Sequence, residues 1–365
     1  SVSQGVSNED LHWEEATSWD WGTDISFWKN KLMFNFDYFI KNNIDNLVTI
    51  TVPAVIGSDT EGASKKPTVN AGKILNRGFE LSLVYRNRLR EEAKYPISYS
   101  IGGNLSHTYN EVLESGGSEL VGGNVGKSSS IYACKTLENY PIASFWGYKI
   151  DGVFSSWDEV NASAQSDAKP GDFKIVDVDG DGQITTNDFT CIGNPNPDLT
   201  YGLNFDVSYA GFDLSLAFQG VYGNDIYNGT KLYLDGGILG SNVSTRRLDV
   251  WSPENPGSSE PTDGGKWFGE TYQLSSAFIE DGSYFRLKNI TLGYTVPSQL
   301  VERLKMQSLR FYVQAQNLLT FTKYTGFDPE IGVNQSYSWE GPELGVDRGT
   351  YPQSRSFVVG VNLGF

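Results

Sequence analysis

Residues 199–222 read LTYGLNFDVSYAGFDLSLAFQGVY, and the spacing of their side chains decides the fold. Tyr201, Leu203, Phe205, Val207 and Tyr209 alternate with Asn204, Asp206 and Ser208. After a tight turn at 209–212, Phe212, Leu214, Leu216, Phe218 and Tyr222 alternate with Asp213, Ser215 and Gln219. Successive side chains of a strand point to opposite faces, so the two runs predict a hairpin with one oily and one wet face. Each run has the roughly 9 to 11 residues that a tilted strand needs to cross a membrane.

The same alternation extends both ways along the chain. Upstream it places Leu32, Phe34, Phe36, Tyr38 and Ile40 on one face, then Phe79, Leu81, Leu83 and Tyr85, then Ile97, Tyr99, Ile101 and Leu105. Downstream it reaches Phe357, Val359, Val361, Leu363 and Phe365, with Ser356, Gly360, Asn362 and Gly364 opposite. A phased strand closing on Phe resembles the assembly signal of bacterial outer-membrane proteins. About ten membrane-length strands are expected, at approximately 15–28, 31–44, 74–88, 95–109, 143–151, 199–209, 212–222, 284–295, 308–317 and 356–365.

Long polar stretches at 51–72, 112–142, 151–197, 223–281 and 321–355 separate some of them, while others are joined by short turns. Short turns at one end and long loops outside are the habit of outer-membrane barrels. Trp19, Trp21, Tyr38, Tyr85, Tyr109, Tyr209, Tyr222 and Tyr294 fall near strand ends on the oily face, as an interfacial aromatic girdle requires. The fold class is therefore read as all-β, a transmembrane antiparallel β-barrel with long extracellular loops. The rival is a soluble β-sandwich, which would cover its oily face with a second sheet.

Composition agrees with a β architecture: 365 residues hold 40 Gly, 20 Tyr, 20 Phe and 9 Trp. The net charge of −16 offers no Lys and Arg cluster for phosphates, so a nucleic-acid partner is excluded. A mean hydropathy of −0.35 and the lack of any apolar run of roughly 18 residues rule out a helical membrane protein, but not a barrel. Cys134 and Cys191 either pair in an oxidising compartment or remain two free thiols.

One motif carries chemistry. Residues 177–188, DVDGDGQITTND, have the spacing of an EF-hand loop, with Asp177, Asp179 and Asp181 at positions 1, 3 and 5 and Gly182 at the turn. Gln183 would offer its backbone carbonyl at position 7, and Asp188 stands where Glu is usual at 12. These five residues are the expected ligands of a structural Ca²⁺; the alternative is a solvated acidic turn without an ion. No catalytic constellation is visible: His12 and His107 are the only histidines, and no nucleophile elbow or phosphate-binding loop follows a strand. An enzyme is not expected. Trp251, Trp267, Phe268, Tyr272, Tyr337 and Trp339 either stack on a glycan or pack their own loops. Helical turns are expected near 245–251 and 301–306.

Several segments in order, among them NRGFELSLVYRN (76–87), PGDFKIVDVDGDGQITTNDFTCIGNPNPDLTYGLNFDVSYAGF (170–212), SSAFIEDGSYFRLKNITLGYTVP (275–297) and SRSFVVGVNLGF (354–365), resemble the C-terminal part of SusC/RagA-type TonB-dependent transporters. The likeness runs over nearly the whole chain. It implies residues 1–365 of a plugged barrel of roughly 22 strands, with the plug and earlier strands upstream. It further implies nutrient import through the outer membrane of a Gram-negative bacterium, with oligosaccharide or peptide as substrate. Implied partners are TonB, engaged through the upstream part, a SusD-like surface lipoprotein and outer-membrane lipid. A passive porin or structural barrel, and a secreted calcium-dependent carbohydrate-binding module, are the rival functional readings; no substrate-binding residue is singled out.

Overall fold

The computed structural model describes residues 8–49, 68–117, 120–125, 131–235, 242–262, 273–332 and 343–365. Nine strands form one sheet: β1 (Glu15–Phe27), β2 (Leu32–Thr49), β3 (Thr68–Leu89), β4 (Ile97–Ser115), β5 (Leu199–Tyr209), β6 (Phe212–Tyr222), β7 (Tyr284–Thr295), β8 (Ser308–Thr322) and β9 (Ser356–Gly364). They lie side by side in chain order, and every neighbouring pair is antiparallel. The sheet is an open arc of barrel wall, with β1 and β9 as its edges.

Register keeps the oily faces together. One ladder row runs Phe27, Leu32, Tyr85, Ile101, Phe205, Leu216, Ile290, Ala315 and Phe357, an apolar residue on every strand of the wall. A one-residue slip anywhere would throw a strand's oily set to the wet side, so the pattern fixes the pairing. No described element covers this face: Phe357 is 72%, Val359 82% and Phe365 80% exposed. A sandwich would have buried them, and that reading falls. Along β5 the band from Tyr201 to Tyr209 spans eight strand steps, roughly 21 Å of height at a tilt near 40°, close to the apolar belt of about 25 Å. The β5–β6 hairpin turns on Ala210 (φ 51°) and Gly211 (φ 88°), the double positive φ of a type I′ turn.

Three strands are longer than a bilayer requires. β2 has 18 residues, β3 22 and β4 19, so a large part of β3 rises beyond the apolar belt at the end where the long connections lie. Segment 8–14 braces this extension: the Asn70 side chain donates to the His12 carbonyl at 2.8 Å, and the Leu47 amide donates to Glu14 at 2.7 Å.

The segment 143–151 is a correction. Ser144–Gly147 is not a strand of the wall; it sits in a separate four-stranded sheet between Tyr132–Thr136 and Thr190–Gly193, with Leu120–Asn124 outermost. Ile150–Val153 pairs with Phe173–Ile175 instead. The physical reason is burial on both faces: Ser144 and Phe145 are wholly buried, and a Cβ added to Gly147 would lie 2.3 Å from the Leu274 carbonyl oxygen. A lipid-facing strand needs one bare face, and this one has none.

The connections at 116–198, 223–283 and 323–355 fold together rather than forming separate loops. Asp225–Asn228 takes Ile279–Asp281 as an antiparallel partner and Val346–Asp347 as a parallel one, which joins the second and third connections. Cys134, Phe145, Tyr227, Leu232, Phe278 and Val346, drawn from all three, share one core. The disulfide alternative fails here: Cys134 pairs opposite Phe145 and Cys191 opposite Trp146, on either side of the same strand. Two ladder spacings are roughly 9 to 10 Å, beyond the roughly 7 Å limit for a bridge. Both thiols are free, and burial pushes that of Cys134 up to about 12. Helical turns occur at Thr245–Asp249 and at Ser298–Val301 with Glu302–Leu304.

Candidate metal centre and loop assembly

The acidic loop lies between Phe173–Ile175 and Thr190–Gly193, at the margin of the shared loop core. Its carboxylates are held by backbone amides. Asp177 accepts from the Gly180 and Gly182 amides at 2.7 and 2.9 Å, and Asp188 from those of Val178 and Thr185 at 2.8 and 2.7 Å. Gly182 has φ 83°, the left-handed conformation that EF-hand position 6 demands. Asp188 is wholly buried, and Thr185 and Asp188 form a reciprocal capping box around a short 3₁₀ turn.

Asp177, Asp179 and Asp188 each bring a carboxylate oxygen within 4.8 Å of the others. Ligands held about 2.4 Å from one ion lie no more than about 4.8 Å apart, so these three fit a single Ca²⁺. Asp181 is not in that group; its oxygen accepts the Gln183 amide at 2.7 Å. The negative charge of Asp188 is felt nearby: burial first, then that charge, raises the Tyr148 hydroxyl above its ordinary value.

A second cluster was not singled out by spacing. Arg286, on the wet face of β7, is buried and donates to Asp328 at 2.6 Å, Glu330 at 2.8 Å and the Thr320 hydroxyl at 2.9 Å. Lys288 reaches Glu330 at 2.9 Å, and Asp328 also accepts the Gln353 amide at 3.0 Å. The cluster clamps the 323–355 connection onto the wall. Its only sequence signal is an Arg and a Lys at the outer end of a strand, with an acidic FDPE segment 40 or so residues on; nothing in local spacing joins them.

Of the loop aromatics, Trp251 packs within its own assembly: a Cβ on Gly171 would come 2.6 Å from its ring. Trp267, Phe268, Tyr272, Tyr337 and Trp339 lie outside the described residues. His12 and His107 are far apart in role: His12 faces Asp45 at 3.3 Å, and His107 holds the Asp198 carbonyl oxygen at 2.6 Å.

A sheet with one continuous bare apolar face, a polar opposite face, short turns at one end and a folded crown of loops at the other defines the wall of a membrane-spanning β-barrel. Residues 1–318 match the family model described as "TonB dependent receptor-like, beta-barrel", and the chain belongs to that family. It is 32% identical over its whole length to TonB-dependent receptor P3 of Formosa agariphila, covering 35% of that protein. It is 26% identical over 98% of its length to TonB-dependent receptor SusC of Bacteroides thetaiotaomicron, covering 32% of it. The fold superposes on the structure of the RagAB peptide transporter with a TM-score of 0.76 at 24% identity, over 99% of this chain and 36% of that one. The chain thus spans about a third of the length of these relatives.

Proposed function

We propose that the protein to which this wall belongs imports a nutrient, oligosaccharide or peptide, across the outer membrane, drawing energy through TonB and working with a SusD-like surface lipoprotein seated on the loop assembly. The observation that carries the reading is the unbroken apolar row across nine strands, bare on the lipid side and backed by a polar face. The neighbour titled a peptide transporter supports the peptide class, and the likeness to a TonB-dependent receptor named SusC supports the link to TonB. The test is uptake of labelled oligosaccharides and peptides by cells making the full-length protein, with and without TonB. Accumulation that needs TonB is expected; equal influx without it means a passive pore and overturns the reading. Removing 223–281 should also cut recovery of a co-purified lipoprotein, and unchanged recovery would count against docking there.

In the same reading, the 177–188 loop holds a structural Ca²⁺ through Asp177, Asp179 and Asp188, with Gln183 and Asp181 filling the remaining EF-hand positions. The ion would offset the repulsion of carboxylates crowded within 4.8 Å and stiffen the link between two sheets of the loop assembly.

A further inference from the structure

The outer face of the wall is not uniformly ridged. Leu81, Leu83, Ile101, Gly103, Leu105 and Leu203, from β3, β4 and β5, line a groove of about 530 Å³ that is almost wholly apolar. Gly103 makes the depression: it stands between Leu83 and Leu203 in the ladder, where every neighbouring position of that face carries a side chain. A Cβ there would touch only Leu203, at 3.1 Å, and the Gly202 carbonyl oxygen at 3.6 Å.

Following β3 and β4 from the groove toward the loop assembly, the next pair on the same face is Phe79 with His107, rings 5.6 Å apart. The pair after that is Arg77 and Tyr109, with the guanidinium 4.8 Å from the ring centroid. Arg77 is exposed and forms no ion pair with a described carboxylate, although it lies on the lipid side of the wall. A cation stacked on an aromatic ring at the edge of an apolar belt suits an anionic headgroup. From Leu83, opposite Gly103, to Arg77 is six strand steps, roughly 15 Å of height at a tilt near 40°, about half the thickness of the hydrocarbon core.

We propose that this strip is a specific lipid site: the groove takes an acyl chain, and Arg77, beside His107 and Tyr109, takes the phosphate of the same outer-leaflet molecule. The proposal rests on the membrane reading above. Its test is native mass spectrometry of the full-length protein, extracted in mild detergent, stripped of lipid and titrated with dioleoyl phosphatidic acid or dioleoyl phosphatidylcholine. Phosphatidic acid should bind more tightly than phosphatidylcholine. Arg77→Gln should weaken it about fivefold, the share of one basic residue at an anionic surface, and weaken the zwitterionic phosphatidylcholine less. Gly103→Leu, which fills the groove, should weaken both lipids.

Equal binding of the two lipids by the native protein, or binding that neither variant alters, overturns the proposal. So does a dimer mass that Gly103→Leu abolishes while lipid adducts persist, since the groove would then seat a second copy. A protein that leaves cells without detergent sinks the membrane reading itself, whereas a membrane-extracted protein lacking the adducts sinks only the lipid site.

Discussion

On β9 Val359 is 82% exposed, while in the loop assembly Phe145 is wholly buried, and both are apolar side chains on strands of the same chain. The wall sends its oily residues outward and holds together through an antiparallel ladder with a few bulges. The loop assembly sends them inward, around Cys134, Phe145, Tyr227 and Phe278, as a water-soluble domain does. The difference shows that two solvents shape one polypeptide. Where hydrocarbon is the surrounding medium, burial comes from the bilayer, and where water is, the chain has to build its own interior.

Phe145→Ala tests that contrast most severely. Removing a wholly buried ring should destabilise the loop assembly by about 3 to 5 kcal/mol, read as earlier proteolysis of the loops during thermal unfolding in detergent. A loss under about 1 kcal/mol would mean that the three connections share no core. Next come adjacent residues on opposite faces of β9: in a bilayer Val359→Arg should cost about 2 to 4 kcal/mol and Val358→Arg close to nothing. Equal costs would erase the assignment of faces. Chelating calcium should then lower the loop transition by about 2.7 kcal/mol when the free ion stands 100-fold above its dissociation constant. Asp188→Asn should abolish that calcium dependence, and an unaltered transition with and without chelator would remove the ion from the loop.

The smallest effect concerns acid. Burial alone would raise the Asp328 carboxyl, but the amides of Glu330 and Gln353 and the Arg286 guanidinium outweigh it and hold the group below its ordinary value of 3.8. A depressed folded value contributes stability that is complete above 3.8 and is lost as pH falls through the lower, folded value. Protease sensitivity of the 323–355 connection should therefore stay flat above about pH 3.8 and rise as the pH falls below it, and Asp328→Asn should remove the rise.

Period-two alternation made the wall legible because a lipid-facing strand has a solvent on each side and records both. It failed at 143–151 because SFWGYKI, buried on both faces, carries as many apolar residues as a membrane strand, without a bilayer to explain them. The outer ends of β2, β3 and β4 run past the alternating pattern, since above the belt both faces meet water or the loop assembly and bulges at Asn43/Asn46 and Lys73/Ile74 break the phase. The acidic loop was readable because its carboxylates lie within one twelve-residue turn. Asp181 shows the limit of spacing, because its carboxylate lies outside the group that Asp177, Asp179 and Asp188 form within 4.8 Å. The Arg286 clamp was invisible because its partners come from the far side of β8.

The continuation of β2 to β4 beyond the apolar belt, across the bulges at Asn43/Asn46 and Lys73/Ile74, has a mechanical consequence. A sheet held by a ladder of backbone hydrogen bonds yields less along its strands than a chain segment without such partners does. The 8–14 brace and the turn at 90–96, at opposite ends of β3 and β4, are thereby tied through one ladder.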